Sequence, residues 1–166
     1  MTIRMITICV SLLMLAPGSL QAGEFPVADE VIIDKSDREL YLLIEGKIFR
    51  TFDIALGIQP QGDKKEEGDF RTPEGRYLLD MRNPNSDYFL SIHISYPSVA
   101  DRRKANQSGL DPGGAIMIHG QPNDPSRTET YYRTQDWTNG CIAVSNSDMI
   151  DIWLMTGDYT PIEIRP

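Results

Sequence analysis

Three apolar runs separated by short polar turns occupy the segment from Val31 to Gly57, VIIDKSDRELYLLIEGKIFRTFDIALG. The turns are DKSDRE and EGK, and runs of this length bounded by polar residues are typical of strands. The third run places four apolar side chains on one face under period-two alternation, with Arg50 as the exception: Ile48, Phe52, Ile54 and Leu56. The segment therefore predicts a meander of three short strands.

Further strands are predicted downstream. Pro73, Glu74 and Gly75 form a turn that leads into one, and Tyr88 to Tyr96, YFLSIHISY, alternates cleanly between an apolar and a more polar face. Ala115 to Gly120, AIMIHG, has the pattern of a buried strand. Ile142 to Val144 is a short apolar run, and Pro161 to Ile164 is a last strand.

Helices are fewer. The stretch Ser145 to Asp148 has a capping pattern for a helix that ends at Gly157. Three apolar residues of this helix fall on one face, by which we expect it to dock: Met149, Ile150 and Trp153. A second, short helix is predicted around Val99 to Gln107. The fold class is thus mainly β, a β-sandwich-like or barrel-like sheet with one clear C-terminal helix.

The segment Gln121 to Asp136 has no apolar period, and we expect a loop without secondary structure there. Loops this long inside a compact domain are uncommon and usually functional. Trp137, Tyr131 and Tyr132 could line a cleft or pin this loop, and their spacing does not separate the two.

The first residues, MTIRMITICVSLLMLAPGSLQAGEF, have the features of an export signal. A positive charge at Arg4 precedes an apolar run that ends at helix-breaking Pro17, and small Ala22 marks a cleavage site. The run is shorter than the roughly 20 residues of a membrane span. Lipid attachment at Cys9 is disfavoured because Ile8 stands where a small residue is expected.

We therefore expect a signal peptide over residues 1–22, a short linker over 23–30 and one domain over 31–166. The alternative, a buried N-terminal helix, is disfavoured. Acidic residues outnumber basic ones by 24 to 16, for a formal net charge of −8. Nucleic acids and anionic membranes attract clustered positive charge. Neither nucleic acid nor a stable membrane span is expected for this chain.

Signal removal would take away Cys9 and leave Cys141, in DWTNGCIAV, as the single cysteine. Exported proteins usually pair their cysteines, so an unpaired one is either buried and inert or kept for its reactivity. The two histidines, His93 and His119, lie on separate strands without the spacing of a metal site. We therefore expect no metal and no cofactor.

A cysteine nucleophile needs a nearby base and backbone donors for the oxyanion that forms on attack. His119, at a strand end, and Cys141, before a short apolar run, are candidates to converge at one sheet edge. Such pairing commonly lowers a cysteine pKa to roughly 3.5–7.5. Taken singly, Cys141 could equally be a buried hydrophobe and His119 structural, but their combination favours a catalytic pair. For His93 a structural role is favoured.

Two glycines have a use beside this pair. Without a Cβ, Gly140 lets the chain turn sharply, so that N–H groups of Gly140 and Cys141 can point at one place. At Gly120, the same lack of a side chain leaves the carbonyl open to the ring nitrogen of His119 that does not face sulfur. That contact would fix the tautomer of the imidazole.

The motif IMIHG, followed after a loop by TNGCIAV, resembles the signature of the L,D-transpeptidase catalytic domain family (YkuD-type). Upstream segments are similar too: VIIDKSDRELYLLIEGKIFRTFDIALG to the opening meander, GDFRTPEGRY to a turn motif, and LSIHISYP and DPGGAIMIHG to central strands. The likeness covers Val31 to Ile164. It implies a β-sandwich-like catalytic domain with its site in a cleft under the loop Gln121 to Asp136.

The resemblance also implies roles for residues. Cys141 would be the nucleophile and His119 its proton acceptor and later donor, oriented by the carbonyl of Gly120. Backbone N–H groups of Asn139, Gly140 and Cys141 would form the oxyanion hole. Four further side chains are candidates to line the substrate cleft: Trp137, Thr138, His93 and Tyr96.

The implied substrate is the peptide stem of peptidoglycan, in the periplasm, with a role in wall biogenesis and cell shape. Cys141 would attack the L-centre carbonyl of diaminopimelate, expel the terminal D-alanine and hold the stem as a thioester. An amine acceptor, a second stem or a protein lysine, would then give transpeptidation. Two departures from the family leave the acceptor open: Asn139 stands where most members have a histidine, and Ala143 where many have a polar residue.

Other functions fit the same residues. Water as the second substrate would make the protein an L,D-carboxypeptidase or an enzyme that releases wall-attached protein. A non-catalytic wall-binding protein that kept the fold would instead have an unreactive Cys141.

Overall fold

The predicted meander is present in a computed structural model that describes residues 25–166. Strands β1 (Glu30–Asp34), β2 (Glu39–Ile44) and β3 (Lys47–Asp53) pair antiparallel. The predicted signal peptide, with the first two residues of the predicted linker, lies outside the described residues.

Five later strands extend the sheet: β4 (Gly75–Ser86), β5 (Phe89–Ile94), β6 (Met117–His119), β7 (Ile142–Ala143) and β8 (Thr160–Arg165). The eight strands follow the order β3-β2-β1-β8-β4-β5-β6-β7. Strand β1 pairs parallel with β8, and β6 parallel with β7. The prediction of a mainly β fold is confirmed.

The two ends of this order meet. Just after β3, Ala55 and Ala143 of β7 exchange backbone hydrogen bonds of 2.8 Å in both directions. Three residues after Ala55, the N–H of Ile58 donates to the carbonyl of Thr138 at 3.1 Å. The sheet therefore curls around its core, and the closure brings the residues that precede β7 against the end of the meander.

Three helices lie within the described residues: α1 (Val99–Gln107), α2 (Glu129–Thr134) and α3 (Asn146–Met155). Both predicted helices form, and each begins at a serine cap. Ser98 and Asp101 make a reciprocal capping box at α1, and Ser145 accepts from the Asp148 N–H at α3. None of the described helices is long and apolar enough to cross a bilayer.

The prediction that Gln121 to Asp136 lacks secondary structure is wrong, because α2 lies inside it. A single cap starts this helix: the Thr128 hydroxyl accepts from the Tyr131 N–H. With six residues and one buried side chain, Tyr132, the helix is too short to show a hydrophobic period. The capping residue Thr128 was the one sequence signal that could have indicated this helix.

Two predicted faces are partly wrong. Phe52, Ile54 and Leu56 are buried, but Ile48 is 55% exposed, because a register shift in the β2–β3 pairing interrupts the alternation between Ile48 and Arg50. On α3, Met149 is buried, while Ile150 is 43% exposed and Trp153 only partly buried. The helix docks on β5 through the face that Met149 shares with Ile152 and Met155.

Candidate active site

A cleft of about 530 Å³ opens where β6 and β7 lie side by side. Five of the residues predicted for the site line it: Cys141, His119, Trp137, Thr138 and Asn139. The parallel pairing explains the meeting, because it sets His119 opposite Ala143 and so brings the end of β6 beside the chain that enters β7. Cys141 is a free thiol.

The thiol of Cys141 sits among backbone groups. Its Sγ donates to the carbonyl oxygen of Ala115 across 3.6 Å. Burial raises the pKa of Cys141, and a backbone hydrogen bond from Met117 and the charge of Lys64 offset only part of that increase. At neutral pH the resting side chain is therefore the thiol.

The imidazole of His119 is held by its own neighbour. Its Nδ1 lies 2.7 Å from the carbonyl oxygen of Gly120. Because a carbonyl can only accept, Nδ1 carries the proton and Nε2 keeps its lone pair in the neutral ring. Burial lowers the pKa of His119 to about 4, against the Gly120 hydrogen bond, which would raise it.

The two pKa shifts together favour a neutral thiol beside a neutral imidazole. Burial of both groups disfavours the thiolate–imidazolium ion pair in the resting protein, so the low cysteine pKa that a histidine partner commonly gives is not expected here.

Gly140 fits a place that no side chain could share. Its φ is +123°, and a Cβ there would lie 2.6 Å from the carbonyl oxygen of Arg71. Its N–H donates to the Thr138 hydroxyl at 3.1 Å, and that hydroxyl donates to the carbonyl of Cys141 at 2.7 Å. The Gly140 N–H is thus engaged inside the turn, so Asn139 and Cys141 are the better candidates for oxyanion donors.

Gly120 is required for a second reason besides its open carbonyl. A Cβ at this position would meet Oδ1 of Asn146 at 2.6 Å. The same amide oxygen accepts the Gln121 N–H at 2.7 Å. Asn146, the first residue of α3, thereby fixes the chain that leaves His119.

Two aromatic rings enclose the imidazole of His119, which is 4% exposed. The Tyr88 ring centroid lies 4.6 Å away, and that of Trp137 lies 5.6 Å away in an edge-to-face arrangement. The sequence singled out Trp137 but not Tyr88, which sits in the turn between β4 and β5. Only the β5–β6 pairing, which sets Ser91 opposite His119, carries that turn to the site.

The ends of the segment Gln121 to Asp136 are anchored. Besides the Asn146 contact at Gln121, the Asp136 carboxylate accepts the Leu56 N–H at 2.9 Å and pairs with Arg38 at 2.8 Å. Trp137 then donates through Nε1 to the carbonyl of Tyr132 at 3.1 Å. These contacts tie α2 to the aromatic wall of the cleft.

Two predicted cleft residues lie elsewhere. Nδ1 of His93 is 2.6 Å from Oδ1 of Asp80, a cross-strand pair outside the cleft. The Tyr96 hydroxyl donates to the carbonyl of Pro112 at 2.9 Å, and its ring packs against Tyr77. Alternation placed both on strand β5 or its end but could not show which sheet face holds the site.

A buried lysine also lines the cleft, and sequence reasoning missed it. Lys64 stands in the polar stretch QGDKKEEGD, where lysines are normally solvated. Among the described residues, no group of three His, Cys, Asp or Glu side chains could hold a metal ion.

The profile of the L,D-transpeptidase catalytic domain family, YkuD, matches residues 28–164. The chain therefore belongs to this family, as the sequence motifs predicted. The Escherichia coli K12 protein YafK, whose name assigns it provisionally to the L,D-transpeptidases, is 27% identical over 99 residues. That match covers 57% of this chain and 38% of YafK.

Solved structures share the fold. The helical cell shape determining protein Pgp2 from Campylobacter jejuni is 31% identical, with a TM-score of 0.59 over 82% of this chain and 46% of Pgp2. Bd1075 from Bdellovibrio bacteriovorus is 23% identical, with a TM-score of 0.57 over 85% of this chain and 51% of Bd1075. This chain therefore spans about half the length of these two proteins or less.

Proposed function

We propose that the protein is a periplasmic cysteine acyltransferase that cuts and joins peptidoglycan stem peptides, an L,D-transpeptidase. The observation that carries the proposal is the cleft shared by Cys141 and His119, with Nδ1 of the histidine held at 2.7 Å by the Gly120 carbonyl. That contact leaves Nε2 as the only ring nitrogen free to accept a proton.

In the first half-reaction, Sγ of Cys141 attacks the L-centre carbonyl of diaminopimelate while its proton moves to Nε2 of His119. Backbone N–H groups of Asn139 and Cys141 stabilise the oxyanion that forms. The tetrahedral intermediate collapses, the bond to D-alanine breaks, and the departing amine takes the proton from His119. The stem stays on Cys141 as a thioester.

In the second half-reaction an amine attacks the thioester carbonyl. It gives a proton to His119, which returns that proton to the sulfur as the thioester bond breaks. A neutral resting pair suits this cycle, since each step begins or ends with the proton on sulfur or on Nε2.

Product analysis tests the proposal. Purified protein is incubated with disaccharide tetrapeptides, and the products are identified by mass. Crosslinked dimers and free D-alanine are expected. Tripeptides without dimers would contradict the proposed transpeptidase activity and assign water as the acceptor, because water differs from an amine only in the second half-reaction.

Reactivity of the pair is tested separately with a thiol-directed reagent or a carbapenem. We expect one adduct at Cys141, none in Cys141→Ala, and slow labelling in His119→Ala. A protein whose mass does not change would instead be a wall-binding relative without catalysis.

A further inference from the structure

Lys64 is a buried cation in the wall of the cleft. Its side chain is 3% exposed, and among the described residues that line the cleft it is the single lysine or arginine. Burying an ammonium group is unfavourable unless anionic or polar partners compensate for its lost hydration. The chain has a net charge of −8, so a buried cation in the wall of this cleft is unusual. The groups that contact its ammonium therefore need to be identified.

The partners within the protein use part of the ammonium group. Nζ donates to Oδ1 of Asp69 at 2.7 Å and to the carbonyl of Glu66 at 3.1 Å. An ammonium has three N–H donors, and the described residues provide no partner for the third. Lys64 thus has a donor left for a group that enters the cleft.

Asp69 does not depend on Lys64 alone. Its carboxylate also accepts backbone N–H groups from Lys65 at 2.7 Å, Arg71 at 3.1 Å and Glu66 at 3.3 Å. Burial would raise the pKa of Asp69, but the Lys64 bond and these backbone bonds hold it below its usual range. A neutral residue at position 64 would therefore leave Asp69 with three donors.

We infer that Lys64 is a specificity-determining residue that binds a carboxylate of the donor stem through its third N–H. The inference rests on the proposed function. Two carboxylates belong to the residues on either side of the bond to be cut, and these are the candidates: the terminal carboxylate of the D-alanine to be expelled, and the free carboxylate at the D-centre of diaminopimelate.

The test compares three substrates on wild-type protein: the tetrapeptide stem, its C-terminal carboxamide and its diaminopimelate carboxamide. The second-order rate of thioester formation at Cys141 is followed by intact mass. Loss of a charge-assisted hydrogen bond should slow one of the two amides by about 10- to 100-fold. The slow amide identifies which carboxylate Lys64 binds.

The variant Lys64→Gln completes the comparison. We expect Cys141 of this variant to be acylated by the parent stem as slowly as wild type is by the affected amide. The variant should also show no difference in rate between the parent stem and that amide. Lys65→Gln is the matched control, since it removes the neighbouring charge from an exposed side chain that does not line the cleft. It should behave as wild type.

Three results would overturn the inference. If all three substrates acylate wild-type protein at the same rate, Lys64 binds neither carboxylate. A Lys64→Gln protein that keeps the full preference for carboxylate over amide places the recognition elsewhere. Wild-type protein that forms no thioester with any stem refutes the proposed function, and the inference falls with it.

Discussion

The Thr138 hydroxyl donates to the carbonyl oxygen of Cys141 at 2.7 Å and accepts the Gly140 N–H at 3.1 Å. One buried side chain thus closes the turn that carries the thiol. Thr138→Val removes both bonds at nearly constant shape, and we expect the free energy of unfolding to fall by about 1–3 kcal/mol.

Acylation of Cys141 should also slow about tenfold in Thr138→Val, because a shift of one ångström in an active site has effects of this order or larger. Thr138→Ser keeps the hydroxyl and should stay close to wild type. The two rates are read from labelling time courses. If Thr138→Val is acylated as fast as Thr138→Ser, the hydroxyl does not position the thiol.

Gly140 and Gly46 form a matched pair for testing the close approach at the site. Both have positive φ, +123° and +72°, but a Cβ at Gly46 meets nothing within 4 Å, whereas one at Gly140 meets the Arg71 carbonyl oxygen at 2.6 Å. Gly46→Ala should cost about 1–2 kcal/mol of backbone strain. Gly140→Ala should cost more than about 3 kcal/mol, since backbone must move.

Urea unfolding measures both losses. Equal losses in the two alanine variants would show that the Arg71 carbonyl does not restrict position 140.

Burial of neutral His119 makes folding stability depend on pH. The folded pKa is lowered to about 4 from the usual 6.5. Between these values the unfolded chain binds a proton that the folded chain does not, so stability is complete above the unfolded pKa and falls as pH decreases toward 4. From pH 7 to pH 4.5, wild type should lose about 2 kcal/mol more than His119→Gln.

The comparison with His119→Gln removes the contribution of carboxylates, which titrate in both proteins. Denaturant unfolding at the two pH values gives the difference. An equal loss in both would mean that the folded protein protonates His119 as readily as the unfolded chain does.

Tyr88 shields the imidazole, with ring centroids 4.6 Å apart. Tyr88→Ala opens His119 to water, and we expect its pKa to rise from about 4 toward 6.5. The acid limb of Cys141 acylation should move up with it, so that the variant loses activity at pH 5 that wild type keeps.

Tyr131→Ala is the control for the Tyr88 variant, because Tyr131 lies on α2 and does not line the cleft. Its pH profile should match that of wild type. A Tyr88→Ala protein with a lower rate but an unmoved acid limb would show that Tyr88 contacts substrate without shielding the histidine.

Local patterns could predict most of the strands and the two helices that begin at serine caps. The alternation of Ile92, Ile94 and Tyr96 matches their burial, since a half-buried strand repeats every two residues. Ile48 escaped the same rule because a register shift depends on the partner strand. Closure of the sheet through Ala55 and Ala143 joins residues far apart in sequence, and no local period encodes it.

Site residues of types that are rare in this chain could be predicted from the sequence, whereas a site residue of a common type could not. The single cysteine that would remain after the predicted signal peptide, together with two histidines, drew attention to Cys141 and His119, and the structure places both in one cleft. Lys64 is one of many charged residues in a polar stretch, so its burial could be seen only in the folded loop around Asp69. His93 was set apart only by its cross-strand partner, Asp80.

The proposed function requires Cys141 to take up the peptide stem as a thioester. The most direct measurement is the intact mass of the protein after brief incubation with disaccharide tetrapeptide and an acid quench. We predict a gain equal to the disaccharide tripeptide acyl group in wild type, and no gain in Cys141→Ala. An unchanged wild-type mass in the presence of released D-alanine, or the same adduct on Cys141→Ala, would contradict the proposed thioester mechanism.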